Sequence, residues 1–294
     1  MKHHRKALRV LTAVLSLVIL ATAAQAPNLK FKFTTIVVKG AQDTHLWGVN
    51  NSGALVGWYV DKSGTRHGLL LVNGKATNID EPNGTNTICY AINSSGAIVG
   101  SYLDSNSLYA AFLYQHGSFT SIGPPGGTQP QATGINDSGD IVGVYCDSSC
   151  STGEEHGFLF NGSTYTKLDV PGAAYSWAFG INKSGLITLQ AGNSKGIWWG
   201  AVYNGKTYRK LKVPGAADSY PHGIDSAGDV VLSWETSSST NYHGALLSKG
   251  KYYKFDDPKG TSGTSPNGIN DHRLIVGSIF TNSGNTVEGF KATY

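Results

Sequence analysis

A ten-residue phrase, Gly-Ile-Asn-x-Ser-Gly-x-Ile-Val-Gly, recurs six times in this chain, and its even spacing restricts the fold to a stack or ring of like units. The copies begin at Gly48, Ala91, Gly134, Gly180, Gly223 and Gly268. Measured at the third position (Asn50, Asn93, Asn136, Asn182, Asp225, Asn270), the steps are 43, 43, 46, 43 and 45 residues. Periods of roughly 20 to 50 residues mark solenoids, propellers or arrays, in which each unit buries its apolar face against its neighbours.

One period accommodates four short strands, A to D. Strand A carries Gly-Ile-Asn, B carries Ile-Val-Gly-x-Tyr, C carries His-Gly-Phe-Leu-Phe, and D is a segment such as 165–170. The Asn-Asp-Ser-Gly type of sequence between A and B places glycine where a tight turn needs positive φ, and its Asn can bond nearby backbone. Gly74, Gly117, Gly162, Gly205 and Gly250 mark a second short turn between C and D. The step from the glycine after strand D to the first glycine of the next strand A is eight residues, as in Gly172 to Gly180. Most variation in the period falls in the B–C loops. In an up-and-down sheet, the A–B and C–D turns share one edge and the B–C and D–A loops share the other. The second face is the variable one, and binding commonly resides on such loops.

The chain ends decide between ring and stack. The sixth copy supplies strands A, B and C (289–294) and then stops, while residues 33–41 align without gaps on the D-strand segment 208–216. Pairing of the two termini would complete a sixth sheet and remove open edges. The expected fold is therefore all-β, a six-bladed β-propeller closed by pairing of the N-terminal strand with the C-terminal blade. The repeated phrases, with His-Gly-Phe-Leu, resemble the HAF family of bacterial extracellular repeat proteins over nearly the whole mature chain. Blades 1, 2 and 3 match well, whereas Leu189 and Leu232 replace the last Gly in blades 4 and 5, and Ala227 replaces Ser in blade 5. The resemblance implies export and repeats, and it brings no catalytic residues.

Residues 1–26 read as a secretory signal peptide: four basic residues, then an apolar run from Val10 to Ala24 that falls short of the ~20 residues needed to span a bilayer. Cleavage is expected after Ala23 or Ala26, leaving 27–294 as one propeller domain. The whole chain carries 23 Lys+Arg against 19 Asp+Glu. Four of those bases lie in the leader, so the mature chain is neutral and lacks the basic footprint of a nucleic-acid binder. The expected product is an exported monomer, periplasmic or extracellular, with no cofactor, no nucleic-acid partner and no membrane insertion after leader removal.

Candidate chemistry is sparse. His67, His156 and His243 hold equivalent positions, but strand C lies two spacings of ~4.8 Å outside strand A, too far from the axis for a shared metal at ~2.1 Å. They read as hydrogen-bonded histidines at a strand start, and no metal site is expected. Asp80, Asp169 and Asp256 read as turn or edge residues. Cys146 and Cys150 sit in the longest B–C loop, where export and spacing favour a disulfide. Cys89 reads as a buried free thiol. Thr44, Thr87, Ser176, Ser219 and Thr264 form a column that looks structural.

Two columns vary against this constant frame. Just before the first Gly of strand A stand Trp47, Tyr90, Thr133, Phe179, His222 and Asn267, expected to ring the channel mouth. Two residues earlier stand His45, Ile88, Gln131, Trp177, Tyr220 and Ser265. Aromatic rings offer stacking area and polar groups fix orientation, a mixture suited to sugar or peptide recognition, although such rings can also plug a channel. The expected ligand-binding set is the six mouth residues with His45, Trp177 and Tyr220, engaging a glycan or peptide. Two alternatives remain open: a polysaccharide hydrolase or lyase using acids such as Asp43 and Asp218 on the same face, and a purely structural envelope protein.

Overall fold

The structure is a computed structural model that describes residues 29–148, 150, 154–281 and 285–294. The leader expected at 1–26 and its cleavage sites lie outside these residues. Every regular element among the described residues is a β-strand. The strands form six antiparallel four-stranded blades. Blade 1 illustrates the plan, with Asp43–Val49 innermost as strand A, followed by Leu55–Val60, Arg66–Val72 and Lys75–Asn78. The other strands A are Thr85–Ile92, Thr128–Ile135, Tyr175–Ile181, Asp218–Ile224 and Gly263–Ile269. Blades 3 and 4 are joined by a single parallel bridge between Glu155 of strand C and Tyr175 of the next strand A.

Closure follows the pattern expected from the sequence. Lys32–Ile36 pairs antiparallel with Thr286–Thr293, placing Thr35 opposite Phe290 and Ile36 opposite Gly289. Strand C of blade 6 starts at Thr286, three residues before the His-Gly-like phrase suggested. Phe31 and Phe33 pack with Phe255 and Phe290, their ring centroids 4.3 Å apart for Phe31 and Phe255, and 5.8 Å apart for Phe33 and Phe290. Apolar burial at the two termini thus seals the ring. The same interleaving recurs around it, as where Val202, Leu211 and Val213 of blade 4 meet Ile224, Val230 and Leu232 of blade 5.

The recurrent Gly of strand B has a steric cause. Strand A carries a bulge at the mouth residue, which turns a backbone carbonyl toward its partner strand. A Cβ on Gly57, Gly100, Gly143 or Gly277 would lie 1.9, 2.0, 2.0 or 2.1 Å from the carbonyl oxygen of His45, Ile88, Gln131 or Ser265. Only glycine fits there. In blades 4 and 5 strand A departs over two residues, Phe179–Gly180 and His222–Gly223, before pairing resumes at Ile181 and Ile224. Those blades accommodate Leu189 and Leu232, both fully buried.

The hydroxyl column proves to be a set of inter-element clamps. Thr44, Thr87, Ser176, Ser219 and Thr264 accept the backbone N–H of Val38, Glu81, Val170, Val213 and Asp257 at 2.9 to 3.1 Å, pinning each D–A connection to the next strand A. The histidine column is tied as firmly. His67, His156 and His243 place Nδ1 at 2.8, 2.7 and 2.9 Å from Asp80, Asp169 and Asp256. Asp80 and Asp256 also accept the N–H of Gly68 and Gly244. These acids therefore fasten strand C to the D–A turn. Cys146 and Cys150 form the disulfide, their Cα atoms 5.3 Å apart, and Cys89 is a fully buried free thiol whose pKa burial raises.

Candidate binding face

The bulge that demands glycine in strand B also aims the mouth residue at the axis. The mouth residues of all six blades converge there with the two residues that follow each of them. Trp47 touches three of the others. Its ring stands edge-on to Tyr90 at 5.1 Å and to His222 at 5.7 Å, and lies parallel to Phe179, from the opposite blade, at 6.4 Å. Phe179 and His222 meet edge to face at 5.2 Å. Thr133 Oγ1 donates to the Ala178 carbonyl at 2.6 Å, and Asn267 Nδ2 donates to the Leu46 carbonyl at 2.8 Å. Burial lowers the His222 pKa to about 3, so its imidazole is neutral. The space left on the axis is about 90 Å³. That volume holds a few waters and no sugar ring.

A larger cavity of about 210 Å³ opens off the axis between blades 2, 3 and 4. Five of the nine expected binding residues line it: Trp47, Tyr90, Thr133, Phe179 and Trp177. Gln129, Gln131, Glu155 and the disulfide join them. Trp177 Nε1 donates to Glu155 Oε2 at 2.6 Å, fixing the indole and the carboxylate together. Tyr90, whose pKa burial lifts to about 12, donates its hydroxyl to Gln131 Oε1 at 3.1 Å. Gln129 is held at φ 49°, a left-handed conformation uncommon for a side-chain-bearing residue and frequent at functional loops. Trp47 Nε1 is buried and has no hydrogen-bond partner among the described residues.

The remaining expected residues go elsewhere. His222 and Asn267 belong to the axial packing. His45 stacks on Trp58 with centroids 3.6 Å apart, and burial, reinforced by Arg66, holds its pKa at about 3. Tyr220 sits in an aromatic run at the next boundaries, with Trp198 at 6.4 Å on one side and Tyr242 at 5.9 Å on the other. Burial, then Glu235 and Asp218, raise its phenol pKa.

A third variable column escaped the sequence reading. The residue immediately before the His-Gly position of strand C is Arg66, Tyr109, Glu155, Trp198, Tyr242 and Val287 in blades 1 to 6. Side by side the six copies show this variation, but nothing in one-dimensional spacing places strand C beside the next blade's strand A. The fold does. Glu155 meets Trp177, and Trp198 meets Tyr220, each pair spanning a blade boundary on the variable face.

The two acids named for catalysis also serve blade boundaries. Asp43 Oδ1 accepts the Val287 N–H at 2.8 Å, and Asp218 Oδ1 accepts the Trp198 N–H at 2.7 Å. They clamp different pairs of blades, so the fold does not bring them together as an acid–base pair. Asp218 instead lies directly across from Glu235 in strand register. Burial and then Asp218 raise the Glu235 pKa.

No family model matches the chain, and no curated protein matches it either. Solved structures do match in fold. The six-bladed fungal lectin of Aleuria aurantia, described with a fucose recognition mode, shares 10% identity at a TM-score of 0.53, over 88% of this chain and 93% of the lectin. A catalytically inactive virginiamycin B lyase from Staphylococcus aureus with quinupristin shares 15% identity at 0.52, over 90% of this chain and 100% of the lyase. TolB from Acinetobacter baumannii shares 14% at 0.54, over 82% of this chain and 64% of TolB. A lectin, a lyase and TolB share this architecture, so the likeness shows the propeller and leaves the activity to the site.

Proposed function

We propose that this chain is an exported propeller of the HAF-repeat type that works as a binding module, taking a neutral glycan unit in the cavity between blades 2, 3 and 4. One observation carries the reading: a cavity of about 210 Å³ where Trp177, Tyr90 and Phe179 meet a Glu155 carboxylate and two glutamine amides. The volume suits a single sugar ring. Indole and phenol rings stack on the apolar face of a pyranose, and a carboxylate with amides orients its hydroxyls. The disulfide stiffens the loop that carries part of the wall, which lowers the ordering cost of binding. The six-bladed lectin among the structural neighbours supports a glycan over a peptide. The neutral mature charge fits a ligand recognised by stacking and hydrogen bonds rather than by long-range attraction.

The test is a glycan array followed by titration with the best neutral saccharide. Trp177→Ala should weaken binding by about 100-fold and Glu155→Gln by about 10-fold, in line with the cost of removing one stacking ring or one charged hydrogen bond. Both variants should melt within a few degrees of the parent. Unchanged affinity in Trp177→Ala defeats the assignment of the pocket.

A further inference from the structure

The strand C column that supplies Glu155 to this pocket supplies Arg66 to the boundary between blades 1 and 2. We propose that Arg66 forms a second subsite, one that binds the carboxylate of a uronic-acid residue in an acidic saccharide. The proposal extends the glycan reading and rests on it.

Four observations carry it. First, the guanidinium is preorganised: Arg66 Cζ lies 4.1 Å from the centroid of Trp58, a ring that is itself stacked on His45 at 3.6 Å. A cation on an indole face is held by the ring quadrupole, and an arginine so fixed loses little freedom on binding. Second, its charge is unused. Among the described residues the Arg66 guanidinium has no ion pair with a carboxylate, and its Nε is buried without a partner. A buried donor left open in this way is costly unless a ligand or water completes it.

Third, Arg66 lines a cavity of about 430 Å³ together with Thr65, Thr85, Asn86 and the His67–Asp80 pair. That size falls within the range of small-ligand sites, and the hydroxyl and amide groups suit a sugar ring. Asn86 is held at φ 53°, the counterpart in blade 2 of the strained Gln129 beside the first pocket. Fourth, the acids nearby are already committed. Asp80 is bound to His67 and the Gly68 N–H, and Asp61 accepts the N–H groups of Ser63 and Thr65. The arginine fork matches two carboxylate oxygens in a plane, which selects a carboxylate over a single-point acceptor.

The experiment titrates the full chain with a galacturonate trimer and with its carboxyl-reduced, neutral counterpart, in parent, Arg66→Gln and Arg66→Lys proteins. The parent should bind the acidic trimer at least tenfold more tightly, with the preference shrinking at high salt. Arg66→Gln should erase the preference while leaving affinity for the neutral trimer intact. Arg66→Lys keeps the charge and loses the fork, so it should retain only part of the preference at an unchanged melting temperature. Equal binding of both trimers by the parent, or a preference that survives Arg66→Gln, overturns the subsite and leaves the glycan reading standing. Failure of the parent to bind either trimer or any saccharide on the array overturns both. Arg66-dependent binding of a polyglutamate peptide as tight as that of the acidic trimer overturns the saccharide assignment.

Discussion

The two ends of the central channel are built on opposite plans. At the A–B turn end, Asn50, Asn93, Asn136, Asn182 and Asn270 each donate a side-chain N–H to the backbone carbonyl of the next blade, at 2.9 to 3.3 Å. Each also caps its own turn, as where Asn182 Oδ1 accepts the N–H of Ser184 and Leu186. One residue type therefore does the same two jobs in five blades, and one of the five bonds, Asn270 to the Asn50 carbonyl, runs from blade 6 to blade 1 across the closure. At the other end the six blades present Trp, Tyr, Thr, Phe, His and Asn: the four rings touch one another around and across the axis, while Thr133 and Asn267 bond to backbone carbonyls of the next blade. Repetition marks what holds the ring, and divergence marks the face where pockets differ from boundary to boundary.

Three substitutions would break or sharpen this contrast. The largest effect belongs to the repeated end. Asn182→Leu removes the inter-blade bond to the Asp225 carbonyl and both turn caps, leaving buried backbone groups open. The cost should be about 3 kcal/mol, lowering Tm by roughly 6–12 °C. At the divergent end, Trp47→Ala should cost less, about 2 kcal/mol by urea unfolding, because the ring is only half buried and its neighbours can close in. A larger loss for Trp47 than for Asn182 would reverse the assignment of the two ends.

The smallest effect tests the one gap in the asparagine ring. Blade 5 has Asp225, which caps its turn through Ala227 and Asp229 and, when ionised, has no proton to donate to blade 6. Burial, with repulsion from Asp229 and Asp271, lifts its pKa to about 6 from 3.8. A carboxyl raised in the folded state favours folding when protonated, so that contribution is present below pH 3.8 and is lost as pH rises through about 6. Asp225→Asn should therefore add about 1 kcal/mol at pH 7.5, with the gain fading as pH falls toward 4. A gain independent of pH would show that the ring is insensitive to this charge.

Much of this architecture was legible in one dimension. The six phrases, the fixed eight-residue connection and the split sixth unit together predict blades, turns and closure, because a repeat that buries its faces on copies of itself must write the same constraint six times. The hydroxyl clamps and the disulfide were visible for the same local reasons. The cavities were less so. The mouth column was correctly placed at the axis, but its rings pack onto one another, and only five of the nine expected binding residues share the off-axis pocket.

Sequence by itself determined the number of blades, the glycine and asparagine positions that their turns and bulges require, and which face varies. Tertiary structure alone decided which variable residues meet. Glu155 and Trp177 lie 22 positions apart and in different blades, and their contact arises from blade twist and ring closure. Arg66 and Trp58 sit on neighbouring strands whose register sets the stack. Periodicity encodes what each unit does for the next, whereas a binding site depends on side chains of unlike units brought side by side, and that relation exists only once the ring is shut.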